Sequence, residues 1–241
     1  MEEYRVLVAE GIDDVLNAIA ADLRCHYRVR ATNNGRRALE MMEEDCPDIL
    51  VLDLELPELD GFALLQDAAV RGLHPVTLAL TRLRNDYILD MAAALDIQYI
   101  IVKPCPVQAV TQRVANLLQW QEKRRASSLQ RITAESLAQF EIRQALNGYH
   151  YLDAAIQMVA ENPRRYITKE VYPEIARQQG CSAQCVEHSI RTAIEGAWKS
   201  GRRKQWQEHF PNDTARPPSN KRFVTYLGRL VCQQWNMWQG R

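Results

Sequence analysis

The sequence predicts two domains of different class: a doubly wound α/β domain on a five-stranded parallel sheet, then an all-α domain. Three observations carry this. Short apolar runs alternate with helical segments over the first 120 residues, and only helical periodicity follows. A chain of 241 residues is comfortable for two domains. The charge divides at the same place. Residues 1–120 hold 11 Lys/Arg against 19 Asp/Glu, and residues 121–241 hold 19 against 11, so a net −8 is balanced by a net +8.

A basic half joined to an acidic half suggests an anionic partner for the second half and a different task for the first. The excess of Lys and Arg fits the electrostatic footprint of a nucleic-acid-binding domain. No apolar run approaches the ~20 residues that span a bilayer, and the charged N-terminus lacks a secretory signal's apolar core. The expectation is a cytoplasmic protein with no membrane partner. Cysteines 25, 46, 105, 181, 185 and 232 have no framework spacing and read as reduced thiols.

In the acidic half, residues 6–9 form the first apolar run, ending at Glu10 and Gly11. Ile12, Val15, Leu16, Ile19 and Leu23 then recur at helical spacing. Residues 49–52, 76–80 and 99–102 are further buried-strand candidates, and residues 29–32 give the weakest strand signal. Residues 38–42, 62–69, 87–95 and 107–118 supply the remaining helices. In such a sheet the functional site lies at the carboxyl ends of the strands. Glu10 closes the first strand, Asp53 the third, Thr81 the fourth and Lys103 the fifth, with Pro104 following. Neighbouring carboxylates make a hard-oxygen site suited to Mg²⁺ or Ca²⁺, here Glu10 with Asp53. A lysine and a hydroxyl beside them suit a phosphoryl group on an aspartate.

These four residues, with the run VLDLELPELDG around Asp53, resemble the receiver domain of two-component response regulators over residues 4–120. The resemblance implies a flavodoxin-like fold and places the domain at residues 1–122. It makes Asp53 the phosphoacceptor, served by a histidine kinase or phosphotransferase, with Thr81 and Lys103 as the switch and phosphate-binding residues. Three positions depart from the family pattern. Gly11 replaces the second acid of the metal-binding pair, Arg82 stands where a small residue is usual, and Ile100 stands where an aromatic is expected. Losing one carboxylate weakens a divalent site, whose affinity follows ligand charge. Two versions stay open: weakened phosphorylation at Asp53, or a degenerate receiver that works without it.

Residues 123–133 read as a charged linker that breaks down at Ser127 and Ser128, leaving residues 134–241 as the second domain. A helix over 132–146 is expected to stop at Asn147–Gly148, followed by another over 149–160. Residues 166–202 hold two helical patterns across a Gly180 break, with Thr168 and Ser182 placed as caps. Val186, Ile190, Ala193, Ile194 and Ala197 form the apolar stripe of the second. This is the plan of a helix-turn-helix over about 167–199. Residues 201–212 are basic and aromatic, with Arg202, Arg203, Lys204 and Trp206, and Pro211, Pro217 and Pro218 mark an irregular loop. Ser219 caps a last helix carrying Phe223, Leu227, Leu230 and Val231.

NGYHYLDAAI, ITKEVYPEIA, CVEHSIRTAIEGAW and PSNKRFV resemble, in order, the effector domain of the stage 0 sporulation protein A family. The resemblance implies a transcription factor that binds double-stranded DNA as a homodimer on tandem sites like TGTCGAA, acting on RNA polymerase and its sigma factor. The DNA-facing positions would be Gln184, Cys185, Glu187, His188, Arg191, Thr192 and Lys199. Glu187 matches a base-contacting glutamate and suits cytosine N4, and Arg191 suits a phosphate. Cys185 and His188 replace two arginines. Neither reproduces the bidentate fork that reads guanine, so an altered or relaxed operator preference is expected. Cys181, Cys185 and His188, at i, i+4 and i+7, also raise a metal-binding or redox reading. Trp198, Trp206, Trp235 and Trp238 read as packing residues, since duplex DNA offers no open base faces. Rival functions are a phosphorylation-independent paralogue, a dominant-negative protein-binding antagonist of a related regulator, and a phosphate sink.

Overall fold

The computed structural model describes residues 4–200, 203–211 and 215–239. The chain divides into two compact units, one through Arg124 and one from Arg125 to Gln239. Among the described residues no helix is long and apolar enough to cross a membrane. Arg202, and the side chains of Arg203, Lys204 and Trp238, lie outside what is described.

The first unit alternates strand and helix. β1 (Arg5–Ala9), α1 (Asp13–Leu23), β2 (Arg28–Thr32) and α2 (Gly35–Glu44) come first. β3 (Ile49–Asp53), α3 (Gly61–Val70), β4 (Val76–Thr81), α4 (Asp86–Ala94) and β5 (Tyr99–Val102) lead to the long helix α5 (Val107–Gln139). All pairings are parallel, in the order β2-β1-β3-β4-β5, the flavodoxin-like order. The central strands are predominantly apolar because both faces are covered. Leu7, Leu50, Leu52 and Ala79 pack with Met42 and Leu64 on one side. Val8, Val51, Leu78 and Leu80 pack with Ile19, Val110 and Val114 on the other. β2 sits at an edge and is half-exposed over most of its length, which explains its faint strand signal. Asp60 and Asn85 cap α3 and α4 through their side chains.

The second unit is all helical among its described residues. It holds the end of α5, then α6 (Asn147–Glu161), a π-helical turn (Ile167–Val171), α7 (Tyr172–Gln179) and α8 (Ala183–Ser200). α9 (Arg203–His209) and α10 (Asn220–Gln239) complete it. One core joins them, with Leu152, Ile156, Val186, Ile190, Phe223 and Leu227 at its centre. Trp198, Trp206 and Trp235 are buried in it, as packing residues. Gly180 ends α7 at φ 63°, the left-handed conformation that glycine adopts without a Cβ penalty.

Three local expectations are corrected. α5 runs unbroken through Ser127 and Ser128 and stops at Gln139, not at residue 146. The serine does not break the helix because Ser128 Oγ donates back to the Arg125 carbonyl at 2.9 Å. Asn147–Gly148 opens α6 instead of closing a helix: a Cβ on Gly148 would stand 2.2 Å from the Ser189 carbonyl oxygen of α8. Thr168 caps nothing. The π turn begins after Tyr166, whose backbone N–H donates to the Glu170 carboxylate at 3.2 Å. The basic stretch after residue 200 contains α9, anchored by the buried Trp206.

Candidate functional site

Parallel pairing brings the ends of β1, β3, β4 and β5 to one edge, and with them Glu10, Asp53, Thr81 and Lys103. Glu10, Asp53 and Thr81 are buried, and the lysine side chain is 10% exposed. Lys103 Nζ lies 2.7 Å from Glu10 Oε2 and 2.8 Å from Asp53 Oδ2. Backbone donors complete the Asp53 shell: Glu55 N–H to Oδ1 at 3.0 Å and Gly11 N–H to Oδ2 at 3.3 Å. Burial pushes the Asp53 carboxyl up, but Lys103 and these N–H groups outweigh it, and it lies below the ordinary carboxylate range. Glu10 goes the other way. Burial raises it, Lys103 offsets part of that, and the neighbouring Asp53 charge adds to the rise.

Receiver domains generally bind a divalent ion at such an acidic site. The residues fit hard-oxygen coordination: the carboxylates of Glu10 and Asp53 and the Glu55 carbonyl would hold the ion. A Cβ at Gly11 would stand 3.5 Å from Asp53 Oδ2 and 3.6 Å from the Glu55 carbonyl oxygen, so an acid there would face the same oxygens. Glycine supplies none. Asp13, at the start of α1, accepts from Asn33 Nδ2 at 2.8 Å. Arg82 is exposed, and its N–H donates to Glu55 Oε1 at 3.0 Å. Ile100 packs against the apolar cluster that holds Ala79 and Ile88, while Tyr99 lies under the Arg113 guanidinium, whose carbon is 3.9 Å from the ring centroid.

In the second unit, Ser182 Oγ accepts from the Cys185 N–H at 3.1 Å and starts α8. The predicted stripe of Val186, Ile190, Ala193, Ile194 and Ala197 is buried. Gln184, Cys185, Glu187, His188, Thr192 and Lys199 are exposed, and Arg191 is half-buried. Arg191 is engaged: its Nε lies 2.7 Å from Glu195 Oε1. Thr192 turns its hydroxyl back to the His188 carbonyl at 3.0 Å.

The groove beside α8 is also lined by Thr168, Tyr172, Ser219, Asn220 and Lys221. Sequence reasoning did not assign these to the interface, although the run PSNKRFV held three of them. Asn220 Nδ2 donates to the Glu187 carbonyl at 2.9 Å and ties the start of α10 to α8. Burial pushes the Tyr172 phenol up to about 12, so it stays neutral.

The three-ligand reading of Cys181, Cys185 and His188 fails. Cys181 precedes α8, so the helical spacing does not apply to it, and its Sγ lies 3.8 Å from the Tyr151 hydroxyl. Among the described residues no three His, Cys, Asp or Glu side chains gather as a metal site.

Comparison with known proteins adds the family. Residues 6–115 match the response regulator receiver domain, and residues 133–231 match the sporulation initiation factor Spo0A C terminal domain. Among similar solved structures is a LuxR-family DNA-binding response regulator from Staphylococcus aureus. It is 20% identical over 47% of this chain and 98% of that one, with a TM-score of 0.44. A signal receiver domain of a putative Luxo repressor protein from Vibrio parahaemolyticus is 19% identical, covering 51% and 95%, at 0.47. A putative response regulator from Chloroflexus aurantiacus is 25% identical, covering 49% and 99%, at 0.43. With a receiver in front and a Spo0A C-terminal domain behind it, the chain is a response regulator of Spo0A-like architecture, which implies DNA-binding control of sporulation.

Proposed function

We propose that this regulator takes phosphate on Asp53 from a histidine kinase or phosphotransferase and binds double-stranded DNA through α8 as a homodimer. Transcription would then be controlled through RNA polymerase and its sigma factor. The observation that carries the reading is the outward polar face of α8 over a buried apolar stripe. A helix so mounted can enter a major groove with Gln184, Cys185, Glu187 and His188 leading.

In the first unit, Asp53 attacks the phosphorus of the donor, the bond from phosphorus to the donor nitrogen breaks, and the leaving imidazole takes a proton. Lys103 neutralises charge at the acceptor, and Thr81 supplies a hydroxyl beside it. A bound Mg²⁺ or Ca²⁺ supplies further charge neutralisation. With glycine at position 11 it is held by fewer charges, so divalent affinity and phosphorylation are both weakened.

On the DNA side, Cys185 and His188 lack the guanidinium fork, so the TGTCGAA box loses about 1–3 kcal/mol per missing guanine contact. Titration of the full chain with box-containing and scrambled duplexes at several salt concentrations tests this. A preferred sequence with a salt slope of several phosphates is expected. Equal affinity for every duplex would sink sequence-specific binding and favour a protein-binding antagonist. Gly11 favours one second reading, a receiver that works without phosphate. Acetyl phosphate with Mg²⁺ decides it: wild type takes up phosphate and Asp53→Asn does not, whereas no difference between them leaves the phosphorylation-independent regulator.

A further inference from the structure

Of the three carboxylates at the strand ends, Lys103 holds two, and the third has a different partner. Glu55 Oε1 lies 2.9 Å from Thr81 Oγ1 and 3.0 Å from the Arg82 backbone nitrogen. Thr81 Oγ1 also accepts from the Leu83 N–H at 3.0 Å, so its single proton is committed to Glu55. An O–H and an N–H converging on one oxygen is how a protein holds an oxygen of a carboxylate or a phosphoryl group. Glu55 follows Asp53 by two residues, and its own N–H is bound to Asp53 Oδ1 at 3.0 Å. The donor pair therefore stands beside the phosphoacceptor and already holds an anion.

We propose that Glu55 is a resident anion of this receiver: its carboxylate occupies the Thr81 and Arg82 donors in the unmodified protein and competes with a phosphoryl group on Asp53 for them. The competition rests on the assignment of Asp53 as phosphoacceptor; the occupancy of the donors does not. A phosphoryl group brings about −1.5 to −2 charges. It enters a site where Glu10 and Asp53 share one lysine and Glu55 occupies the neighbouring donors, so like-charge repulsion and the taken donors both oppose it until Glu55 swings out. Glu55 is exposed, so release to water costs little, and the barrier it sets is modest.

Two readouts on the full chain test the proposal, using wild type, Glu55→Ala and Glu55→Gln, with Asp53→Asn as control. The Arg82 amide proton, followed by NMR, should lie downfield in wild type, move upfield in Glu55→Ala and fall between the two in Glu55→Gln. An unchanged Arg82 amide in Glu55→Ala overturns the occupancy. Beryllofluoride with Mg²⁺, titrated by fluorine NMR, should half-saturate Glu55→Ala at about three- to tenfold lower concentration than wild type, the size expected for a partly exposed charge-assisted bond. Equal half-saturation overturns the competition. If no variant binds the probe, the Asp53 reading and the competition fall together, and the Arg82 amide alone still decides the occupancy.

Discussion

Lys103 Nζ stands 2.8 Å from Asp53 Oδ2, and that one ammonium also holds Glu10 at 2.7 Å. Removing one partner of a buried ion pair leaves an uncompensated charge and costs about 3–5 kcal/mol. Lys103→Met should therefore lower the unfolding free energy of the first unit by roughly 3 kcal/mol at neutral pH. The pH dependence follows from the two acids. Asp53 is held below its ordinary 3.8, so its contribution is present above that value and lost as pH falls through the folded one. Glu10 is raised above 4.5, so its contribution is present below that value and lost as pH rises through the folded one. Without the lysine both acids are raised, and the variant's deficit should shrink as urea melts are run from pH 7 toward pH 4.

Glycines in the second unit separate steric from conformational effects. A Cβ on Gly148 would meet the Ser189 carbonyl oxygen at 2.2 Å and Ala193 Cβ at 2.8 Å. Gly196, within α8, would meet nothing within 4 Å. Gly148→Ala should destabilise the unit by about 1–3 kcal/mol, the usual cost of forcing atoms into a packed contact. Gly196→Ala should stabilise it by roughly 0.5–1 kcal/mol by restricting the unfolded chain and favouring helix. Thermal melts in which both variants move the same way would contradict this packing of α6 on α8.

What could be read from the sequence follows from where burial is two-sided. β1, β3 and β4 are covered on both faces and read as mainly apolar runs, with Glu10, Asp53 and Thr81 at their ends. The stripe of α8 was legible for the related reason that one helix face meets one core. Misreadings arose where a residue's usual local role was overridden. Ser128 looks like a breaker, yet its hydroxyl turns back on the Arg125 carbonyl, as those of Thr133 and Ser136 do on carbonyls four residues earlier, and α5 continues. Gly148 looks like a helix stop and is instead a spacer between helices. Glu55 was invisible as a ligand of Thr81 because the contact crosses 26 residues between two strand ends.

On α8, the helix proposed to face DNA, the Arg191–Glu195 pair sets a further expectation. The 2.7 Å contact occupies the guanidinium proposed to meet a phosphate, and both side chains are about two-fifths exposed. An exposed pair contributes about 0.3–0.5 kcal/mol to the helix, so its loss is well tolerated. Glu195→Gln removes a negative charge from the face proposed to meet DNA and releases Arg191 from its ion pair. Affinity should rise for box and scrambled duplexes alike, and the slope of log K against log salt should steepen by about one phosphate. A gain confined to one sequence would instead mean that Arg191 reads a base.

Asp153 on α6 offers a stability test away from both sites. Burial raises its carboxyl above the ordinary 3.8, and the hydrogen bond from Gln157 Nε2 at 2.9 Å offsets only part of that. For an acid raised in the folded state, the favourable contribution is complete below its ordinary value and lost as pH climbs through the folded one. At neutral pH the group is charged at a cost. Asp153→Asn keeps the size and an acceptor for Gln157 while removing that charge. It should stabilise the second unit by about 0.5–1.5 kcal/mol at pH 7, an amount set by the modest penalty for a half-buried charge. The advantage should vanish near pH 3, where the wild-type acid is neutral as well. Denaturant melts of the two proteins at both pH values check this, and an advantage that persists at pH 3 would show that the gain comes from packing and not from charge.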